Sequence, residues 1–335
     1  MSRIRWGILS SARIARQKVI PAIQDSQCGT VAAIASRNPD LAQQVAETHQ
    51  IPTICPTYHD LIQLDTIDAV YIPLPNHLHV EWACKAIKAG KHVLCEKPLG
   101  LNEMDVQHLL NVSRQYPKQL VAEAFMYRHH PQWTRTREWV RTNYIGELRS
   151  IHVHFSYDNR DPDNIRNKLE FGGGALMDIG CYGISVARWL YGSEPKRVCA
   201  HAERHPQFRT DTSTTALLDF AQGGATVICG TQIQRAEHVT IVGTKGKITL
   251  QTPFNIPPDE PAYLDLQQDQ ERSIHTLGPA NQFSEQCDAF AAAVIDGEPL
   301  CTPIVDSLNN MRVIDACFQS AQANTWITCE HLTDP

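Results

Sequence analysis

The sequence predicts an α/β protein with an N-terminal, doubly wound parallel sheet and a C-terminal α/β domain built on a large, mostly antiparallel open sheet. Short apolar runs alternate with helical patterns over the first 125 residues, which is typical of βαβ units. Beyond about residue 130, strands of alternating polarity follow one another across glycine turns. We therefore predict one domain at residues 1–125 and a second at residues 126–335.

The N-terminal part contains runs with the length and apolar character of buried strands. They lie at residues 4–9, 31–36, 69–72, 92–95 and 120–124, with helical patterns at 14–24, 39–48, 77–89 and 103–116. Right-handed crossovers bring the carboxyl ends of such strands to one edge, where open parallel sheets bind ligands. The residues just beyond each strand are therefore the first candidates for a functional site.

The C-terminal part begins with a strictly alternating segment at residues 150–157, apolar on one face and Ser or His on the other. Further strands are predicted near 196–203, 212–220, 224–231, 237–242 and 247–251, and helices at 178–191, 281–296 and 303–323. The helices would cover one face of the sheet, which leaves the other as a natural surface for a homodimer or homotetramer. The proline-rich stretch 253–261 is predicted to be the least regular.

Composition excludes several classes of protein. The 335 residues are 42% hydrophobic and 20% charged, as in ordinary globular proteins. A net charge of −6 with scattered basic residues argues against nucleic acid as a partner. No segment approaches the ~20 apolar residues of a membrane span, and the N-terminus lacks the pattern of an export signal. Eleven cysteines without a C-x-x-C motif indicate reduced thiols, so we expect a cytoplasmic location.

The turn after the first strand is the first candidate site. Ser10, Ser11, Ala12, Arg13 and Ile14 occupy the place where a dinucleotide-binding fold has G-x-G-x-x-G/A. All the replacements for glycine are small, so backbone amides can still approach a pyrophosphate at the helix N-terminus. An ordinary strand-to-helix turn would have a similar sequence, and this alternative stays open.

The end of the second strand indicates which dinucleotide is used. Ser36 and Arg37 stand where NAD enzymes usually have an acidic residue for the ribose 2′-hydroxyl. Arg37 can pair with a 2′-phosphate and stack on adenine, and Ser36 can hydrogen-bond beside it. NADP is therefore favoured, with NAD possible; a helix cap beside a solvated Arg is the alternative.

A rigid turn follows the strand at 69–72. Pro73 and Pro75 remove two backbone donors and fix the path of the chain, which suits support of a nicotinamide ribose by Leu74, Asn76 and His77. No H-E-x-x-H motif or Cys/His cluster accompanies the histidines here. The same holds for those at 152 and 154, so no metal site is predicted.

Lys97 follows the apolar run 92–95, between Glu96 and Pro98. Its place beyond a parallel strand predicts that the ammonium lies beside a ligand. A lysine after an apolar run is otherwise a solvated loop residue.

The second chemical segment runs from Gly172 to Tyr182. Three successive glycines allow close approach of the backbone to a ligand. Asp178 then opens a helix, and Tyr182 lies four residues later, on the same helical face. A carboxylate and a phenol on one face could bind and deprotonate a carbinol; a capping Asp above a packed Tyr is the structural alternative.

These motifs resemble the Gfo/Idh/MocA oxidoreductases over nearly the whole chain. The resemblance rests on Glu96-Lys97-Pro98, on residues 123–128, 164–166 and 172–182, and on segments near 280–283 and 310–312. It is closest to the branch with NADP-dependent D-xylose dehydrogenases, glucose–fructose oxidoreductases and dimeric trans-dihydrodiol dehydrogenases, which has Tyr where inositol dehydrogenases have His. The glycine-poor turn at 10–15 departs from the family pattern.

The resemblance implies a Rossmann NADP-binding domain, a substrate-binding and oligomerisation domain, and roles for particular residues. It implies that Tyr182 is the acid/base, that Lys97 orients substrate and relays a proton, and that Asp178 and Arg166 bind substrate. It also places Tyr127 and Arg128 near the nicotinamide. Together with the turns above, the expected cofactor-binding residues are Ser10, Ser11, Ala12, Arg13, Ile14, Ser36, Arg37, Pro73, Leu74, Asn76, His77, Glu96, Lys97, Tyr127 and Arg128.

The expected reaction is hydride transfer between nicotinamide and a secondary or anomeric carbinol of a sugar or cyclic diol. A free phenol titrates near 10, and an ammonium beside it favours the phenolate that oxidation needs. Two alternatives stay open. One is a non-catalytic NADP-sensing regulatory protein on the same fold, and the other is a hydrolase that oxidises its substrate transiently through tightly held NAD.

Overall fold

The computed structural model describes residues 3–329. The strands are β1 Ile4–Leu9, β2 Gly29–Ala35, β3 Thr53–Cys55, β4 Ala69–Ile72, β5 His92–Cys95, β6 Val121–Glu123, β7 Leu148–Asp158, β8 Arg197–Arg204, β9 Asp211–Asp219, β10 Gly224–Gly230, β11 Gln232–Gly243, β12 Gly246–Leu250, β13 Ala262–Gln268, β14 Glu271–Leu277 and β15 Ile327–Thr328. The α-helices are α1 Ile20–Asp25, α2 Pro39–His49, α3 Tyr58–Ile62, α4 His79–Lys88, α5 Glu103–Ser113, α6 Pro131–Arg141, α7 Cys181–Tyr191, α8 Gln282–Asp296 and α9 Ile304–Ala323. Two π turns, Ala15–Val19 and Leu176–Gly180, precede α1 and α7.

The chain divides into two compact units. Among the described residues, the first unit comprises 3–129 and 281–307, and the second comprises 130–280 and 308–329. The predicted domains, 1–125 and 126–335, omit this return of the chain to the first unit. Its physical reason is the buried face of α8, from which Phe290 packs against Trp6 of β1 with ring centroids 5.2 Å apart.

The first unit contains a six-stranded parallel sheet in the order β3-β2-β1-β4-β5-β6. This is the order of dinucleotide-binding doubly wound sheets, which reverses between β1 and β4. All five predicted strands are present, whereas β3 and α3 were not predicted. These two elements have three and five residues, too few for a clear periodicity.

The second unit contains a nine-stranded sheet in the order β14-β13-β12-β11-β7-β10-β9-β8-β15. Neighbouring strands are antiparallel except β7 and β10, which run parallel. Val153, Val227 and Ile241 are buried on one face, against which α7 packs. A Cβ atom on Gly183 of α7 would lie 2.6 Å from Val227, so glycine permits the close approach of helix and sheet.

The predicted fold class is therefore confirmed, a parallel sheet followed by a large, mostly antiparallel one. The predicted strands of the second part are also present, while β13, β14, β15 and α6 were not predicted. Residues 251–261 form neither helix nor strand, as expected. All eleven cysteines are free and most are buried. Among residues 3–329, no helix is both long and apolar enough to cross a bilayer.

Candidate active site

The turn after β1 keeps a glycine-type backbone without glycine. Ser10 has a φ of +132°, a conformation that residues other than glycine rarely adopt. The next two side chains, Ser11 and Ala12, are small, and a π turn begins at Ala15. These features fit the approach of a pyrophosphate to backbone amides at this edge of the sheet.

Two serines tie this turn to the end of β2. The hydroxyl oxygens of Ser11 and Ser36 lie 2.7 Å apart, and the amide of Asn38 donates to the Ser36 hydroxyl over 3.2 Å. Ser36 is therefore engaged in joining two turns. The Arg37 side chain is exposed at the same strand end, as a partner for a 2′-phosphate would be.

A buried phenol holds Glu96, next to Lys97. The Tyr71 hydroxyl, from neighbouring β4, donates to the Glu96 carboxylate over 2.6 Å. Burial and the charge of Glu96 raise the pKa of Tyr71 well above its ordinary value, so the phenol stays a donor. Lys97 is half-buried, and its peptide bond to Pro98 is cis.

His79 connects the two loops that follow β4 and β5. Its Nε2 lies 2.7 Å from the Leu74 carbonyl oxygen, and its Nδ1 lies 2.8 Å from that of Pro98. Burial lowers the pKa of His79 to about 4, against the opposing effect of the two carbonyl groups. Both ring nitrogens thus face protein oxygens, which gives the imidazole a structural role. Pro73 and Leu74 are buried and Asn76 and His77 are half-buried in the same loop.

A third support for the Lys97 loop comes from Glu123 at the end of β6. Its carboxylate accepts a hydrogen bond from the Leu99 amide over 2.9 Å, two residues beyond Lys97. The backbone carbonyl of Glu123 accepts another from the Thr302 hydroxyl over 2.6 Å. Burial raises the pKa of Glu123 to about 7.

Tyr127 and Arg128 are both buried in the first unit. The Arg128 guanidinium lies 2.8 Å from the Asp306 carboxylate and donates over 3.3 Å to the carbonyl oxygen of Cys301. It also donates to the Tyr127 hydroxyl over 3.3 Å. The Arg128 guanidinium therefore binds groups of the protein itself. Contact of Tyr127 or Arg128 with a cofactor stays a prediction.

Asp178, in the second unit, is held by two side chains. The Tyr157 hydroxyl donates to Asp178 Oδ2 over 2.5 Å, and Arg166 Nε donates to the same oxygen over 3.0 Å. Burial and the Asp178 charge raise the pKa of Tyr157, so its hydroxyl keeps the proton that it donates. Arg166 therefore lies beside Asp178, and a role of the two residues in substrate binding stays a prediction.

Asp178 lies in a π turn. The helical backbone already includes Ala175, whose φ and ψ are −67° and −42°, and it continues through the turn Leu176–Gly180 into α7. The expected i,i+4 placement of Asp178 and Tyr182 assumed a regular α-helix, whereas i→i+5 bonding widens this turn. Asp178 does not cap the helix. The cap comes from Asp211, whose carboxylate accepts from the Leu176 amide over 2.8 Å.

Tyr182 has an aromatic environment. Its ring packs edge-on against Phe155 of β7 at 5.7 Å and tilted against Phe254 at 5.1 Å. Phe254 belongs to the irregular segment 251–261 and is fully buried. Only 6% of Tyr182 is exposed, so its phenol is largely shielded from water.

Sequence reasoning missed most of the supporting residues of both units. Tyr71, His79, Glu123, Tyr157, Asp211 and Phe254 contact predicted site residues or their loops. Apart from the contact of His79 with Leu74, five positions away, the separations from those partners range from 19 to 72 positions, so local spacing could not have identified them. Among residues 3–329, no group of three or more His, Cys, Asp or Glu side chains could hold a metal ion.

Comparison with known proteins supplies the family. Residues 4–124 match the model described as "Oxidoreductase family, NAD-binding Rossmann fold", and residues 133–249 match "GFO/IDH/MocA C-terminal domain". The chain belongs to the GFO/IDH/MocA oxidoreductase family. This family member is thus an enzyme that uses a nicotinamide dinucleotide, as predicted.

Three relatives show where the chain stands in the GFO/IDH/MocA family. It is 37% identical to D-xylose 1-dehydrogenase (NADP(+)) 2 of Haloferax volcanii, over 95% of this chain and 97% of that protein. It is 31% identical to trans-1,2-dihydrobenzene-1,2-diol dehydrogenase of Xenopus tropicalis, over 73% and 74% of the two chains. A 3-ketoreductase of Actinomadura kijaniata, crystallised with NADP and TDP-benzene, superimposes with a TM-score of 0.89 at 31% identity, over 95% and 98%.

Proposed function

We propose that this protein is an NADP-dependent dehydrogenase acting on a secondary or anomeric carbinol of a sugar or cyclic diol. The observation that carries the proposal is the Asp178 carboxylate, fixed by Tyr157 and Arg166 and followed in the same helical segment by the shielded phenol of Tyr182. The names of the xylose and dihydrodiol dehydrogenases support this substrate class.

Each residue has a distinct proposed role. The nicotinamide, when bound, supplies or accepts the hydride. Tyr182 exchanges the proton of the carbinol oxygen. Lys97 orients the substrate and relays a proton. Asp178 accepts a hydrogen bond from a substrate hydroxyl, and Arg166, whose side chain is 39% exposed, donates to another. Acid–base help of this kind contributes about 10²–10⁴ in rate.

The preference for NADP rests on Arg37. Its exposed guanidinium at the end of β2 can pair with a 2′-phosphate, which NAD lacks. The Arg37→Ala variant should therefore bind NADP more weakly and leave NAD affinity within about twofold. Equal losses for the two cofactors in a fluorescence titration would contradict this preference.

A spectrophotometric screen at 340 nm tests the function directly. Pentoses, hexoses and cyclic diols are offered with each nicotinamide cofactor, and the Lys97→Met and Tyr182→Phe variants are assayed on the best substrate. Each change should lower kcat at least about a hundredfold while NADP affinity stays similar. The double variant should lose little more than either single one, because residues that act as a unit are not additive.

Two outcomes would replace the proposal. Tight NADP binding without turnover across the whole panel would favour the regulatory NADP sensor. Product formation without net change in cofactor absorbance would favour the hydrolase with a held NAD. Near-normal turnover in either single variant would reject the proton-transfer roles.

We also propose that the exposed face of the large sheet joins two or four copies of the chain. One row of directly paired residues crosses this face and has exposed Leu217 near one edge and exposed Ile274 at the other. The row comprises Leu217, Thr226, His152, Thr240, Thr249, Asp265 and Ile274. Apolar groups on an otherwise polar sheet suit a second copy. Sedimentation of wild type and Ile274→Lys would test the association.

A further inference from the structure

Asp211 is a buried carboxylate that the proposed reaction does not use. It is the first residue of β9 and is 1% exposed. Its Oδ2 accepts from the Leu176 amide over 2.8 Å and from the Thr214 hydroxyl over 2.6 Å. Burial raises the pKa of Asp211, and the two donors counter that effect by stabilising the charged form. Burying a carboxylate costs free energy, so the groups that Asp211 hydrogen-bonds should explain its presence there.

The residues before Leu176 are shaped around this carboxylate. A Cβ atom on Gly174 would lie 2.1 Å from Asp211 Oδ1, and the φ of Gly174 is +119°, so no other residue fits there without displacement. The Gly174 amide donates to the Arg166 carbonyl oxygen over 2.9 Å. The carboxylate, the glycine turn and the Arg166 backbone thus form one assembly at the start of the helical segment.

Asp211 also supplies what the helix start lacks. Ala175 precedes the turn Leu176–Gly180 and provides no side-chain cap. The first amides of a helix have no partner within it, and a carboxylate beside them is favoured by the helix dipole. The Asp211 carboxylate, 35 positions away, fills that place for Leu176.

We propose that Asp211 is a positioning residue of the active site: through the Leu176 amide and Gly174, it fixes the helical turn that presents Asp178 and Tyr182. The catalytic part of this inference rests on the proposed function. Asp178 follows the held amide by two residues, and its own amide donates to the Gly174 carbonyl oxygen over 3.0 Å. A shift of the turn would therefore move the Asp178 carboxylate away from Tyr157 and Arg166.

The test compares Asp211→Asn and Asp211→Ala with a control from the same strand, Asp219→Asn. Asp219 lies at the other end of β9, partly exposed and paired with Arg197 over 2.8 Å. Asparagine has nearly the same shape as aspartate, so the test can rely on Asp211→Asn if Asp211→Ala does not fold. Backbone amide exchange at Leu176 and steady-state kinetics are measured on all the variants at one pH.

Loss of the charged acceptor should speed exchange at the Leu176 amide roughly tenfold or more in Asp211→Asn. The same variant should lose about tenfold or more in kcat, while the KM for NADP changes less than about twofold. The Asp219→Asn control should change neither quantity. Unchanged Leu176 exchange, or a kcat equal to that of the control, would overturn the proposal.

The two readouts separate this inference from the proposed function. If wild type oxidised no carbinol, the proposed function would be rejected. Faster exchange of the Leu176 amide in Asp211→Asn would still support the inference that Asp211 fixes the helical turn. If wild type were active and Asp211→Asn lost NADP affinity together with kcat, the damage would be general and the positioning role would be rejected.

Discussion

Removing the Tyr157 hydroxyl should weaken catalysis through Asp178. The Tyr157→Phe variant keeps the ring and deletes a donor 2.5 Å from Asp178 Oδ2. A hydrogen bond to a charged group contributes about 1.5–3 kcal/mol. Since 1.36 kcal/mol is a factor of ten in rate, we expect kcat/KM to fall roughly 10- to 100-fold if the bond is needed in the transition state.

The assay is steady-state turnover at 340 nm with saturating NADP and the best substrate of the screen. Tyr191→Phe is the matched control, because its hydroxyl donates to the neutral Gly224 carbonyl oxygen over 3.0 Å in the same unit. That control should keep kcat/KM within about twofold, since its lost bond is neutral and lies outside the proposed site. If Tyr157→Phe were as active as Tyr191→Phe, the hydrogen bond from Tyr157 to Asp178 would have no role in catalysis, and the reasoning would be refuted.

Three further predictions concern stability, measured by chemical denaturation. Burial lowers the pKa of His79 to about 4, below the ordinary 6.5, so neutral His79 contributes to stability above pH 6.5 and that contribution is lost as pH falls toward 4. Over this range the free energy of unfolding of wild type should fall by up to roughly 3 kcal/mol more than that of His79→Asn. Burial raises the pKa of Glu123 from 4.5 to about 7, so wild type loses stability as pH rises through that range. Between pH 4.5 and 8 the free energy of unfolding of Glu123→Gln should rise by up to roughly 3 kcal/mol relative to wild type, and a difference that does not change with pH would contradict this. Arg188→Lys should cost about 1–3 kcal/mol, because buried Arg188 makes two bonds to Glu194, at 2.5 and 2.7 Å, that an ammonium cannot reproduce; an unchanged midpoint would count against it.

The fold was predictable because its evidence is local. Strands such as Ile4–Leu9 and His92–Cys95 are short apolar runs between helical patterns, and the predicted bounds agree with the structure. The short strand Thr53–Cys55 lies at the edge of its sheet with Ile54 exposed, so it has no apolar run to recognise. The segment 281–307 was assigned to the wrong unit, since a helical pattern does not reveal which sheet its apolar face will cover.

The candidate site was predictable only in part. Glu96, Lys97, Asp178 and Tyr182 could be selected because they follow strands or glycines within a few residues. The groups that hold them could not, because Tyr157 reaches Asp178 from β7, 21 positions earlier, and Asp211 lies 35 positions beyond Leu176. The π turn at Leu176–Gly180 was also not predicted, because π turns are rare and residue spacing alone does not distinguish them from a regular α-helix.

The return of residues 281–307 to the first unit bears on how this protein can be made and dissected. A fragment ending at residue 125 would lack Phe290, which packs on Trp6, and Thr302, which bonds to the last residue of β6. On the ribosome, the cofactor-binding core stays incomplete until residue 307 has emerged, long after its sheet has been synthesised. An autonomous version would have to splice α8 and its flanking loop onto residue 129, bypassing everything between.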